Sequence, residues 1–201
     1  MKLKYDEPPS NFAFKFNLRR YNSVAIAFEF VAFVDVPDIR LYNMLLSVCA
    51  AACDSRSGFA AFVLMCNAGV APDESAYNTL ISACAKSGDV DKAFETFRRM
   101  EVDGIAPSVI TFGALMDSLS RRVIDVHYNA EETEALLERC FTLRADMVQR
   151  GMAPDAVVLN ALVIACGRAA VMRPLRADAL EKAFGVYDEM EHADCKLVRP
   201  T

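Results

Sequence analysis

Residues 77–94 read YNTLISACAKSGDVDKAF, and residues 42–59 read YNMLLSVCAAACDSRSGF, the same phrase 35 residues earlier. A period of roughly 20–50 residues is the signature of a solenoid. Copies of one phrase fold alike, so the local structure of one unit recurs in the next. A unit this short has too little apolar surface to close a core alone. It has to bury its face on a neighbouring copy.

Taking the tyrosine as the fourth residue of each unit sets the organisation. The first unit spans 39–73 and ends GVAPD; the second spans 74–108 and ends GIAPS. The third, 109–155, ends GMAPD, and the fourth, 156–201, ends VRPT. The first two are 35 residues long; the third and fourth, at 47 and 46, carry extra residues around VIDVHYNAEET and AAVMRPLRAD. Both insertions are expected between the helices of their unit, on the solenoid surface. Residues 17–38 read as a partial unit, with a second helix over 22–34 and Pro37-Asp38 in phase with the later endings. Residues 1–16 show no period and read as an irregular tail. Neither end resembles a polar capping repeat, so the chain is expected to belong to a longer array.

Each unit reads as two helices. Tyr77, Leu80, Ile81 and Cys84 recur at i, i+3, i+4 and i+7, one apolar helical face. Ser87, Gly88 and Asp89 break it, Gly88 suiting a helix end and Asp89 an N-cap. Val90, Ala93, Phe94, Phe97 and Met100 form the second stripe, which Gly104 and Pro107 stop. The spacing predicts an all-α fold, a right-handed α-solenoid superhelix of about four helix-turn-helix repeats and a preceding half-repeat.

Composition narrows the function. A 54% hydrophobic content can supply a substantial core, and no apolar run is long and uncharged enough to span a bilayer. The first twenty residues carry Asp6 and Glu7 and lack a clean apolar centre, unlike a signal or transit peptide. That pattern fits either a cytosolic chain or one whose true N-terminus lies elsewhere. Seven cysteines raise zinc, but Cys49, Cys84 and Cys166 share the eleventh position of their units, where the third has Leu119. A slot that accepts Cys or Leu is a packing slot. Cys49 and Cys53 have no second Cys/His pair to complete a metal set. His127, in an insertion, and His192, near the C-terminus, read as surface residues. The acidic run EETEALLE reads as a solvated helix start. No phosphate loop, nucleophile triad or deaminase signature is present. The sequence therefore predicts no enzyme, cofactor, metal, membrane partner or small-molecule substrate.

The phrase YNTLISACAKSGDVDKAFETFRRMEVDGIAPS resembles the pentatricopeptide repeat family along its whole length. The tetratricopeptide alternative lacks its tryptophan pattern here, since the chain has no Trp. The resemblance covers residues 39–201 and implies single-stranded RNA binding, about one base per repeat. It implies base-reading pairs at the fifth and last residues of each unit. These are Asn43 with Asp73, favouring uracil; Asn78 with Ser108, leaning to cytosine; Gly113 with Asp155; and Asn160 with Thr201, leaning to a pyrimidine. Gly113 has no side chain to offer a base edge. The resemblance also implies base-flanking residues at the second position, where Arg40, Ser75, Ile110 and Val157 stand. Ile110 and Val157 are apolar as the pattern asks; Arg40 and Ser75 depart from it. Lys86, Arg121 and Arg168 share the thirteenth position, which the resemblance turns towards phosphate. Organellar residence, plastid before mitochondrion, follows from the family alone.

A net charge of −5 does not favour a polyanion. The first helices of the units nevertheless carry Arg40, Lys86, Arg121, Arg122 and Arg168 against only Glu74 and Asp117. The acidity lies elsewhere, which leaves room for a basic groove. Two readings stand at this point: a pyrimidine-leaning RNA-binding array, and a solenoid scaffold for protein partners. The asparagines also have a purely local reading, as N-terminal helix residues bonding nearby backbone.

Overall fold

The computed structural model describes residues 24–125, 129–172 and 175–192. The expected irregular tail, His127, the His192 side chain and Thr201 lie outside the described residues. Nine helices make up the regular structure of the described residues: α1 (Val24–Phe33), α2 (Ile39–Ala51), α3 (Ser55–Asn67), α4 (Glu74–Ser87), α5 (Val90–Val102), α6 (Val109–Asp125), α7 (Ala130–Gln149), α8 (Ala156–Ala169) and α9 (Arg176–His192).

The helix boundaries follow from recurring cap chemistry. Asp38, Asp73 and Asp155 each accept a bond from the backbone N–H three residues on, capping α2, α4 and α8. Asp54, Asp89 and Asn129 do the same for α3, α5 and α7. Gly69, Gly104 and Gly151 follow the ends of α3, α5 and α7 with φ of 73°, 78° and 76°. At each, the next residue's N–H reaches back to a methionine carbonyl: Val70 to Met65, Ile105 to Met100 and Met152 to Met147. This left-handed stop recurs because only glycine takes that φ without a steric cost.

The even-numbered helices α2, α4, α6 and α8 stack on one another. Each odd-numbered helix from α3 packs on its own hairpin partner, and α3, α5 and α7 also pack on the next inner helix. Consecutive odd-numbered helices do not stack to a comparable degree, and the even-numbered helices, which carry the open groove described below, are called the inner helices. This is an α-solenoid, as the repeat requires.

Both stripes read from the second unit are core. Tyr77, Leu80, Ile81 and Cys84 are buried, as are Val90, Ala93, Phe97 and Met100. Phe94 is partly buried against the same cluster. Phe97 meets Phe112 of the next inner helix edge-to-face at 5.7 Å, so the outer helix of one unit closes on the next.

The insertion in the third unit differs from the expectation of residues added between helices. It largely lengthens helices: α6 has 17 residues and α7 has 20, against 14 and 13 in α4 and α5. Val123, Thr133 and Leu136 are buried in this extension, and Arg122 bonds Glu132 across it at 2.9 Å. The apolar residues at helical spacing let the extra chain join the stack instead of looping away. In the fourth unit α8 keeps 14 residues, and residues between it and α9 carry part of the insertion.

Candidate nucleic-acid interface

Fifth-position residues lie one turn into each inner helix, and the last residue of a unit caps the next inner helix. Stacking α2 on α4 therefore brings Asn43 to Asp73. The Asn43 Nδ2 donates to both Asp73 carboxylate oxygens at 3.2 Å. Asp73 Oδ1 also accepts the Ala76 N–H at 2.8 Å, so the carboxylate has a capping duty as well. An acceptor-only carboxylate fixes the amide, turning Asn43 Oδ1 the other way. That oxygen is buried and has no hydrogen-bond partner. A buried polar atom left unpaired costs about 1–3 kcal/mol.

The second pair is built differently. Asn78 and Ser108 are linked through Thr111. The Thr111 hydroxyl donates to Asn78 Oδ1 at 2.7 Å and accepts the Ser108 backbone N–H at 3.1 Å. Asn78 Nδ2 donates to Glu74 Oε1 at 3.2 Å. Ser108 Oγ, like Asn43 Oδ1, is buried without a partner. Thr111 escaped the sequence reading, although Ser108-x-x-Thr111 has the spacing at which a helix-start side chain reaches back to its cap residue.

Gly113 is buried on the inner side of α6, and a β-carbon there would meet Val157 Cγ1 at 3.7 Å. The third pair thus has only Asp155, which accepts the Val158 N–H at 2.9 Å. Asn160 is half-buried one turn into α8.

An open groove of about 730 Å³ runs between α2, α4 and the start of α6. It is lined by Ser47, Asp73, Ser75, Asn78, Lys86 and Ile110, among others. Five expected site residues therefore share one concavity. Ile110 and Val157 are 69% and 57% exposed, large apolar side chains beside polar ones. Arg40 and Ser75 are exposed as well. Lys86 lies eight residues beyond Asn78 on α4, about 12 Å along the axis at 1.5 Å per residue. The groove thus has amide and carboxyl groups at one end and a cation at the other.

The three thirteenth-position cations are not equivalent. Lys86 and Arg168 are exposed. Arg121 Nε pairs with Asp117 at 2.9 Å, one helical turn earlier. The expected cation ladder is therefore weaker at the third unit, because Asp117 at i−4 meets the guanidinium on the same helix face.

The cysteines of the repeated slot are inert by burial. Cys49, Cys84 and Cys166 are fully buried, as is Leu119 in the corresponding place. Desolvation pushes the thiols up, Cys49 and Cys166 to about 11 and Cys84 to about 12. No group of three or more His, Cys, Asp or Glu able to hold a metal ion occurs among the described residues. No described helix is long and apolar enough to cross a membrane.

The stacked inner helices of this α-solenoid bring the Asn78 amide, the exposed Ile110 side chain and the Lys86 cation into one open groove. Residues 72–121, which carry much of that groove, match the PPR repeat family. No curated protein matches the sequence. The fold is similar to the PPR domain of Arabidopsis thaliana protein-only RNase P 1, solved in complex with tRNA. The TM-score is 0.68 at 17% identity, over 94% of this chain and 91% of that one. It is also similar to the pentatricopeptide repeat protein PPR10 in complex with an 18-nt psaJ RNA element, with a TM-score of 0.69 at 22% identity. That match covers 92% of this chain and 24% of PPR10, so the chain spans about a quarter of PPR10's length. Nuclear proteinaceous RNase P 2 from A. thaliana matches with a TM-score of 0.63 at 16% identity, over 92% of this chain and 38% of that one.

Proposed function

We propose that this chain is a single-stranded RNA-binding segment that reads bases along the groove of its inner helices. The observation that carries the reading is the groove between stacked inner helices, which gathers Asp73, Ser75, Asn78, Lys86 and Ile110. Two of the fifth-position asparagines are held in fixed orientation by bonds between neighbouring inner helices, and Asn78 lines the groove. Exposed Ile110 and Val157 supply apolar surface for base stacking, and Lys86 and Arg168 are exposed cations available to phosphates. The RNA-bound states of PPR10 and of the RNase P 1 PPR domain support the same reading.

Such a segment acts by occupancy. A bound tract is shielded from nucleases or kept unfolded, which stabilises or exposes a transcript. Asn43 with Asp73 and Asn78 with Ser108 give the segment its pyrimidine leaning; Gly113 makes the third unit permissive. An organellar role, the plastid first, rests on family resemblance. The phrase FAFVDVPDIRLYNMLLSVCA is similar to the plastid factor that matures the Rubisco large-subunit transcript, which makes that transcript the first natural ligand to test.

Fluorescence anisotropy with short labelled RNAs tests the proposal. A pyrimidine-rich probe with U-C at the first two read positions is expected to bind more tightly than an A-rich probe. Asn43→Ala is expected to weaken it about fivefold, the scale of one lost hydrogen bond of about 1 kcal/mol. Equal affinity for both probes, unchanged by Asn43→Ala, would refute base reading. Absence of binding by a folded protein would favour the scaffold reading.

A further inference from the structure

We infer that Ser82 is a ribose-contacting residue: its hydroxyl lies between the Asn78 amide and the Lys86 cation, where it meets the 2′-hydroxyl of the nucleotide held by the second unit. The inference rests on the RNA reading above and adds to it a residue outside the second, fifth, thirteenth and last positions of the unit.

Asn78, Ser82 and Lys86 stand four residues apart on α4, so they share one helix face at steps of about 6 Å. All three line the groove. A nucleotide has the same order: base, then ribose, then phosphate. With a base at Asn78 and a phosphate at Lys86, the sugar falls at Ser82. Across the groove α2 contributes Ser47, Ala50 and Ala51, short side chains that leave room for a sugar ring.

Ser82 is half-buried, and its hydroxyl has no hydrogen-bond partner among the described residues. A serine inside a helix can turn its hydroxyl back onto a carbonyl of the preceding turn. Ser47 does so to Asn43 at 2.8 Å, and Ser87 and Ser120 do so to Cys84 and Asp117 at 3.0 Å. Ser82 does not, so its one donor and two lone pairs remain for a ligand. Lys86 likewise has no hydrogen bond or ion pair among the described residues that would hold it out of the groove. The ribose 2′-hydroxyl both donates and accepts, and it is the group that DNA lacks. A contact to it at Ser82 therefore tells ribose from deoxyribose, which a cation on a phosphate cannot do. Ser82 is the ninth residue of its unit, and its counterparts differ. Ser47 spends its proton on its own helix, Asp117 accepts from Arg121 Nε at 2.9 Å, and Ile164 has no polar atom. Sugar reading is thus concentrated at the second unit.

Anisotropy titrations with the pyrimidine-rich RNA and two versions of it, 2′-deoxy at only the second or only the fourth read nucleotide, test this. Wild type is expected to lose about fivefold in affinity on the second-nucleotide change, the scale of one hydrogen bond. It is expected to keep its affinity on the fourth-nucleotide change, where a general effect of sugar pucker would act equally. Ser82→Ala is expected to bind the all-ribose probe about fivefold more weakly and to be insensitive to the second-nucleotide change. Ser82→Thr, which keeps a hydroxyl, is expected to regain that sensitivity, which a merely space-filling role for the serine would not produce. Wild type with equal affinity for all three probes, or Ser82→Ala with wild-type sensitivity and an intact fold, overturns the inference and leaves the RNA reading standing. A wild type that binds none of the probes overturns both.

Discussion

At the residue scale, one position breaks the local rule that its counterpart obeys. Cys53 has a φ of +55°, and Gly88, the corresponding residue 35 positions later, has a φ of +76°. Both follow an inner helix, and the N–H after each reaches back to the buried cysteine carbonyl, Asp54 to Cys49 and Asp89 to Cys84. A left-handed residue with a β-carbon costs roughly 1–2 kcal/mol, part of which glycine returns through its freer unfolded chain. Cys53→Gly is therefore expected to stabilise the protein by about 1 kcal/mol, measured as a higher denaturation midpoint at unchanged slope. Nothing in YNMLLSVCAAACDSRSGF taken alone marks Cys53 as a left-handed residue; only alignment on Gly88 does. Thr111 was hidden for a related reason. Its hydroxyl serves a residue 33 positions away, and no local pattern reports a bond of that span.

At the element scale, the helix pairs are set by spacing, capping and glycine stops that the chain states openly. Cap residues Asp89 and Gly88 and the stripe from Val90 to Met100 appear where the pattern puts them. The third unit shows where pattern reading stops. VIDVHYNAEET reads as a break, yet α6 continues to Asp125 and α7 begins at Ala130, because Val123 and Leu136 find each other's cluster. How closely two helices meet is also a tertiary matter. A β-carbon at Gly58 on α3 would come within 3.2 Å of Leu80 Cδ1 on α4. Leu80 is itself buried and has little room to retreat. Gly58→Leu is expected to overpack this crossing and cost about 1–3 kcal/mol, read by chemical denaturation, with the helical content retained.

At the scale of the whole molecule, the same repeat position differs in exposure along the array. Val90 and Phe97 are buried by the unit that follows them; their counterparts on α9, Leu180 and Tyr187, are 40% and 45% exposed. The three thirteenth-position cations differ along the array, since Lys86 and Arg168 are exposed whereas Arg121 is paired with Asp117 on its own helix. If Lys86 neutralises one phosphate, Lys86→Ala should lower the slope of log affinity against log salt by about 0.7, the value per contact on single strands. Arg121→Ala should change it less, because Asp117 already competes for that guanidinium. Titrations between low and moderate salt decide it; equal slopes for wild type and Lys86→Ala would remove Lys86 from the backbone path.

The chain's own period, apolar stripes and cap residues determined that it is an α-solenoid, and roughly where its helices begin and end. Those features depend on neighbours within a turn or two, and each repeat states them again. The tertiary structure alone decided that Asn43 meets a carboxylate while Asn78 meets a hydroxyl, and that much of the third insertion joins the helices. The two asparagine pairings depend on which side chains face one another once inner helices 35 residues apart are stacked. That register is a property of packed surfaces, and it is what gives one repeated asparagine two different sets of partners.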